Sequence, residues 1–115
     1  MRWALDPRDP GRLQDQIASC VRRGAASGEL AVGEQLPPAA ELAEALSVDR
    51  NTVLAAYRQL RDEGVLEFRR GRGARLVAGA PDRAELYEAV REVLQVARAH
   101  GLGPRDVIQM IEEST

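Results

Sequence analysis

Residues 41–60 read ELAEALSVDRNTVLAAYRQL, and the fold turns on how this stretch is divided. Leu42, Ala43 and Leu46 recur at helical spacing and predict a short helix over residues 39–46, with Pro38 at its start, where a missing N–H costs nothing. Ser47 and Val48 then make a tight turn. Asp49 is a natural N-cap for the next helix, because its carboxylate can accept from the backbone N–H of Asn51 or Thr52. That helix buries Val53, Ala56, Tyr57 and Leu60 and stops at Gly64, a residue able to take the left-handed conformation after a helix end. Its opposite face carries Arg50, Asn51, Leu54, Arg58 and Arg61. Two short helices therefore meet through a few residues, with polar side chains gathered at the first turn of the second.

On the N-terminal side, Leu13, Ile17, Cys20, Val21 and Ala25 predict a helix ending near Gly28, after an opening segment whose Pro7, Pro10 and Gly11 break any helix. Gly33 and the Pro37-Pro38 pair bracket a short extended piece, Glu34-Gln35-Leu36. On the C-terminal side, Val65-Leu66-Glu67-Phe68 and Ala74-Arg75-Leu76-Val77 predict two strands of a hairpin around the basic island Arg69-Arg70-Gly71-Arg72-Gly73. A disordered arginine/glycine tract would lack these flanking β-formers, and a phosphate-cradling loop would need a following helix. Gly71 and Gly73 permit positive φ and close backbone approach to a partner.

Ala78-Gly79-Ala80-Pro81 reads as a linker, and Asp82 with Glu85 has capping-box spacing ahead of a long helix over residues 82–100. Leu86, Val90, Val93, Leu94 and Ala97 form an apolar stripe on it, suited to one side of a helix pair. After a turn at Gly101-Leu102-Gly103-Pro104, a last helix offers Val107, Ile108 and Ile111. The expected architecture is mainly α, an α+β winged helix-turn-helix: a three-helix core with a β-hairpin wing over residues 1–78, then a two-helix tail over residues 82–115.

Composition narrows the function. The 115 residues fit one small domain with an appendage, and 44% apolar but only 3% aromatic residues make a thin core that oligomerisation would help. All 16 basic residues are arginine. Net charge is −2 overall, yet residues 47–80 carry seven arginines against four acids, while the segments on either side are acidic. The one positive block coincides with the helix-turn-helix and the wing, as expected of a surface that faces a polyanion. One cysteine and one histidine leave no disulfide, metal or catalytic constellation, so neither an enzyme nor a cofactor is expected. Cys20 reads as a buried thiol, His100 as a cation near a helix C-terminus, and Trp3 and Tyr57 as packing residues. No apolar run is long enough for a signal peptide or a membrane span, so the protein reads as cytoplasmic.

Leu36-Pro37, Glu41-Leu42-Ala43, Val48, Arg50-Asn51-Thr52-Val53, Tyr57, Leu60, Glu63-Gly64, Leu66 and Arg70-Gly71-Arg72-Gly73 together resemble the GntR family of bacterial transcription regulators, over about residues 3–77. Asn-Thr-Val followed by Ala-Tyr is similar to the YtrA and MocR branches, and the short tail matches the YtrA plan. The resemblance implies a homodimer on an inverted-repeat DNA operator, most often as a repressor and often of transporter genes, with the C-terminal helices as the dimer interface. It implies DNA contacts from Arg50, Asn51, Thr52 and Arg58 and from the wing residues Arg69, Arg70, Gly71, Arg72 and Gly73. Arg50 suits a guanine edge or a phosphate; the Thr52 hydroxyl suits DNA or its own backbone. Asp49 replaces the usual Ser or Thr, and Ala40 stands where relatives carry a DNA-contacting arginine. Two other readings use the same features: a non-specific architectural or RNA-binding module, and an effector-sensing regulator. The short tail leaves a small-molecule effector room only at the dimer interface.

Overall fold

The computed structural model describes residues 1, 3–9 and 12–115. The helix-breaking roles of Pro10 and Gly11 lie outside the described residues. Among those described, the order is α1 (Leu13–Ser27), α2 (Ala39–Leu46), α3 (Arg50–Asp62), β1 (Leu66–Arg69), β2 (Gly73–Leu76), α4 (Ala80–Ala99) and α5 (Pro104–Glu113). Among the described residues no helix is long and apolar enough to cross a membrane.

The apolar spacing of α1 buries Ile17, Val21 and Ala25 completely in a core shared with α3, the hairpin and the start of α4, and Gly28 ends the helix in the left-handed region. Val53, Ala56, Tyr57 and Leu60 of α3 face the same core. Burying such side chains is the main stabilising contribution, at about 1.5–3 kcal/mol for each large one. Cys20 lies in this core at 2% exposure, and Trp3 packs half-buried against it.

β1 and β2 pair antiparallel with Leu66 opposite Leu76 and Phe68 opposite Ala74. Leu66, Leu76 and Ala74 turn inward, whereas Phe68 stays exposed. Residues 33–36 add a third extended segment to β2: the Gly33 and Leu36 N–H groups each donate to β2 carbonyls at 2.8 Å, and the Leu76 N–H donates to Glu34 at 3.0 Å. The wing is therefore tied to the chain just ahead of α2.

The start of α4 departs from the sequence expectation. The helix begins at Ala80, not at Asp82, so Ala80 and Pro81 belong to its first turn and the linker shrinks to three residues. Gly79, at φ +83°, is the N-cap and no side chain caps it; Asp82 instead places its charge inside the first turn. The reason is tertiary. Ala80 and Ala84 are completely buried in the core that α1 builds, so two methyl groups let α4 lie close to α1, and the capping box proposed for Asp82 and Glu85 does not form. Beyond that contact α4 runs out with Leu86, Val90, Val93 and Val96 exposed. The chain reverses at Gly101 (φ +76°), and α5 starts where the Gly103 N–H donates to the Asp106 carboxylate at 2.8 Å. Ala97 and Val107 are covered where α4 and α5 meet, while Ile108 and Ile111 stay exposed.

Candidate nucleic-acid interface

The first turn of α3 is set by two devices. Ser47 adopts a left-handed conformation (φ 55°), which turns the chain sharply out of α2, and Asp49 caps α3 by accepting the Asn51 N–H at 3.0 Å. With the cap supplied by Asp49, the Thr52 hydroxyl has no partner among the described residues. Arg50, Asn51 and Arg58 are exposed, Thr52 and Leu54 half-exposed. Ala40, exposed in the first turn of α2, offers a methyl group and no charge.

Tyr57 holds this pair of helices from below. Its hydroxyl donates to the Pro37 carbonyl at 2.7 Å, joining α3 to the segment that enters α2. Burial, helped by the charge of Glu41, raises its pKa well above the ordinary tyrosine value. The phenol is a neutral structural donor.

The wing sorts its arginines by partner. Glu67 Oε1 accepts from Arg75 Nε at 2.6 Å and from Arg69 Nε at 3.1 Å, and these hydrogen bonds, with the two positive charges, lower the Glu67 pKa. Arg61, at the end of α3, pairs with Asp62 and lies over the Phe68 ring, 5.1 Å from its centroid, which seats α3 on the base of the wing. Arg70 and Arg72 at the tip, like Arg50 and Arg58 on α3, are exposed and have no carboxylate partner among the described residues. Gly71 and Gly73 take φ of +75° and +72°, and the Arg72 N–H donates to the Arg69 carbonyl across the turn.

Two features escaped the sequence reading. Gln35 donates its side-chain amide to the Arg72 carbonyl and approaches within 3.5 Å of where a side chain at Gly73 would begin, so it props the wing tip from the α2 side. Its position in an extended piece beside the prolines was visible, but its partner, 37 positions away, was not. Arg22, only 4% exposed, is buried among carboxylates of α3 and α4, and no local pattern marks it because those partners lie 41 and 66 positions away. Among the described residues no group of three or more His, Cys, Asp or Glu is placed to hold a metal ion.

A capped helix presenting Arg50, Asn51 and Thr52, braced against a hairpin with two unpaired arginines at its tip, can offer a fork to a base edge and cations to a phosphate backbone. The family model for bacterial regulatory proteins of the gntR family matches residues 13–76. The HTH-type transcriptional regulator Rv1152 of Mycobacterium tuberculosis is 35% identical over 99 residues, covering 86% of this chain and 82% of that protein. The HTH-type transcriptional repressor YtrA of Bacillus subtilis is 36% identical over 69 residues, covering 60% of this chain and 53% of its own length. Among solved structures, YtrA from Sulfolobus acidocaldarius, a GntR-family transcription factor, superposes with a TM-score of 0.62 at 27% identity, over 96% of this chain and 94% of that one.

Proposed function

The chain belongs to the GntR family of bacterial regulatory proteins, transcription regulators that bind DNA, and on that premise we propose that it is a YtrA-like homodimeric repressor acting on an inverted-repeat operator in the cytoplasm. The observation that carries the reading is the division of the arginines in the basic block. Arg61, Arg69 and Arg75 are matched by carboxylates, whereas Arg50, Arg58, Arg70 and Arg72 are unmatched cations on the recognition helix and the wing. Unmatched cations are what counterion release and base readout require. In this reading Arg50 and Asn51 meet base edges, Thr52 and Arg58 meet phosphates, and the tip Arg69-Arg70-Gly71-Arg72-Gly73 lies along the backbone or minor groove.

The tail supports the dimer. Val93, Val96, Leu102, Val107, Met110 and Ile111 line an apolar trough of about 970 Å³ between α4 and α5. A second copy covers this trough and the outer stripe of Leu86, Val90 and Ile108, since contiguous exposed apolar surface of this kind marks an interaction site. The repressor assignment follows the name of the Bacillus subtilis relative.

Selection of bound sites from random duplex DNA tests this reading directly. The expected result is one half-site appearing twice as an inverted repeat. Recovery of unrelated sequences with equal affinity would overturn it in favour of an architectural module.

A further inference from the structure

Arg22 of α1 is one guanidinium shared by two other helices. Its Nε and Nη2 donate to the two oxygens of Glu63, the C-cap of α3, at 2.7 and 2.5 Å, and its Nη1 donates to Glu88 of α4 at 2.9 Å. Ser19 donates to the other Glu88 oxygen at 2.8 Å, and one turn further along α4 Arg91 pairs with Asp9 at 3.3 Å. Burial alone would discourage the Arg22 charge; the hydrogen bonds and charges of Glu63 and Glu88 outweigh it and hold the guanidinium ionised.

Such a buried ionic cluster contributes little net stability, because desolvation offsets most of the attraction and apolar side chains of similar volume hold helices together as well or better. What it adds is direction. A planar guanidinium hydrogen-bonded to two carboxylates adds geometric specificity to the groups it bridges. The surroundings make that direction matter. Where α4 faces α1, only Ala80 and Ala84 are completely buried; Tyr87, Arg91 and Leu94 are half-buried, and past the cluster a cleft of about 230 Å³ opens between Asp15 and Gln59 on one wall and Tyr87 and Leu94 on the other. Beyond Glu88 no α4 residue facing α1 is fully buried, and the ties to it there are the polar ones of Arg91 to Asp9 and Ser19. A swing of about 10° over the roughly 17 Å from Glu88 to the end of α4 displaces that end by about 3 Å, comparable with one base-pair rise of about 3.4 Å.

We propose that Arg22, Glu63 and Glu88 form an orienting joint that fixes the angle between the recognition helix and the dimerisation helix, and thereby the half-site spacing that the dimer accepts. This rests on the dimeric, inverted-repeat reading above. The three are positioning residues and touch no DNA.

The test is affinity for a series of inverted repeats whose spacer is shortened or lengthened by one and two base pairs. It compares wild type with Glu88→Gln and with the triple variant Arg22→Met, Glu63→Leu, Glu88→Leu. Wild type should prefer one spacer by about tenfold or more, the order of a single mismatched position. The triple variant should melt no lower than wild type and bind its best spacer within about threefold of wild type, while its preference among spacers falls below about threefold. Glu88→Gln keeps a hydrogen-bonding group in place and should lie between the two, which preserves the test if the triple variant does not fold. Unchanged spacer preference in a folded variant overturns the joint. A wild type that is indifferent to spacing, or that binds a lone half-site equally well, overturns the dimeric reading instead.

Discussion

Asp49 serves the fold and, in the proposed interface, opposes binding. Its carboxylate caps α3, but the same charge stands beside residues proposed to meet phosphates. Serine caps about as well as aspartate. Asp49→Ser should therefore change stability by less than about 0.5 kcal/mol in chemical denaturation while tightening operator binding in fluorescence anisotropy; weaker binding would mean that the carboxylate itself contacts DNA. Tyr57 makes the complementary case of a polar group used only for the fold. Because burial raises its pKa, its contribution is complete below the ordinary tyrosine value of 10.0 and is lost as the pH climbs past it. Tyr57→Phe should cost about 0.5–1.5 kcal/mol at neutral pH and should flatten the alkaline fall of the melting temperature between pH 9 and 11. An unchanged alkaline limb would assign that fall to other groups. The Asp49 cap and the inward side of Tyr57 were legible in the sequence, since both follow from residue type and spacing within one helix.

At the scale of elements, the proposed interface divides the labour of binding between α3 and the wing. Arg50→Ala should cost about 1–3 kcal/mol on the operator and relax discrimination among related sites, as expected for a base contact. Arg70→Ala with Arg72→Ala should weaken all duplexes about equally and lower the slope of log affinity against log salt by about 1 to 2. A salt titration of both variants separates the roles, and equal loss of specificity in the two would collapse the distinction. The helix-turn-helix and the hairpin were legible almost to the residue, because each is a local pattern of caps, glycines and alternating apolar side chains. The start of α4 was not. Asp82 and Glu85 carry a plausible local signal, but the burial of Ala80 and Ala84 by α1 outweighs it and draws the first turn two residues earlier.

At the scale of the whole molecule, one face of α4 is spent on its own chain and another is left exposed. The amphipathic pattern announced a helix with something to bury, yet it did not distinguish folding back from dimerising, and the structure divides the helix between intrachain packing and an open face. Val93, at 47% exposure, lies on that open face. Val93→Glu should leave the monomer's stability within about 0.5 kcal/mol, shift sedimentation to a single-chain species at micromolar concentration, and reduce operator affinity by about a hundredfold as the avidity of two linked half-sites is lost. A dimer of unchanged strength would place the interface elsewhere. The cluster around Arg22 was illegible for a different reason: its members come from three helices, and only the assembled core brings them together.

The short passage from β2 into α4, three residues ending at Gly79, also governs how this regulator can be cut and recombined. A winged helix severed at residue 78 would leave the pocket for Ala80 and Ala84 uncovered and Arg22 without one of its two carboxylates. In a chimeric regulator, the portable unit is thus the DNA-reading region together with the first nine residues of α4, through Glu88, and a graft joined there carries its own core with it.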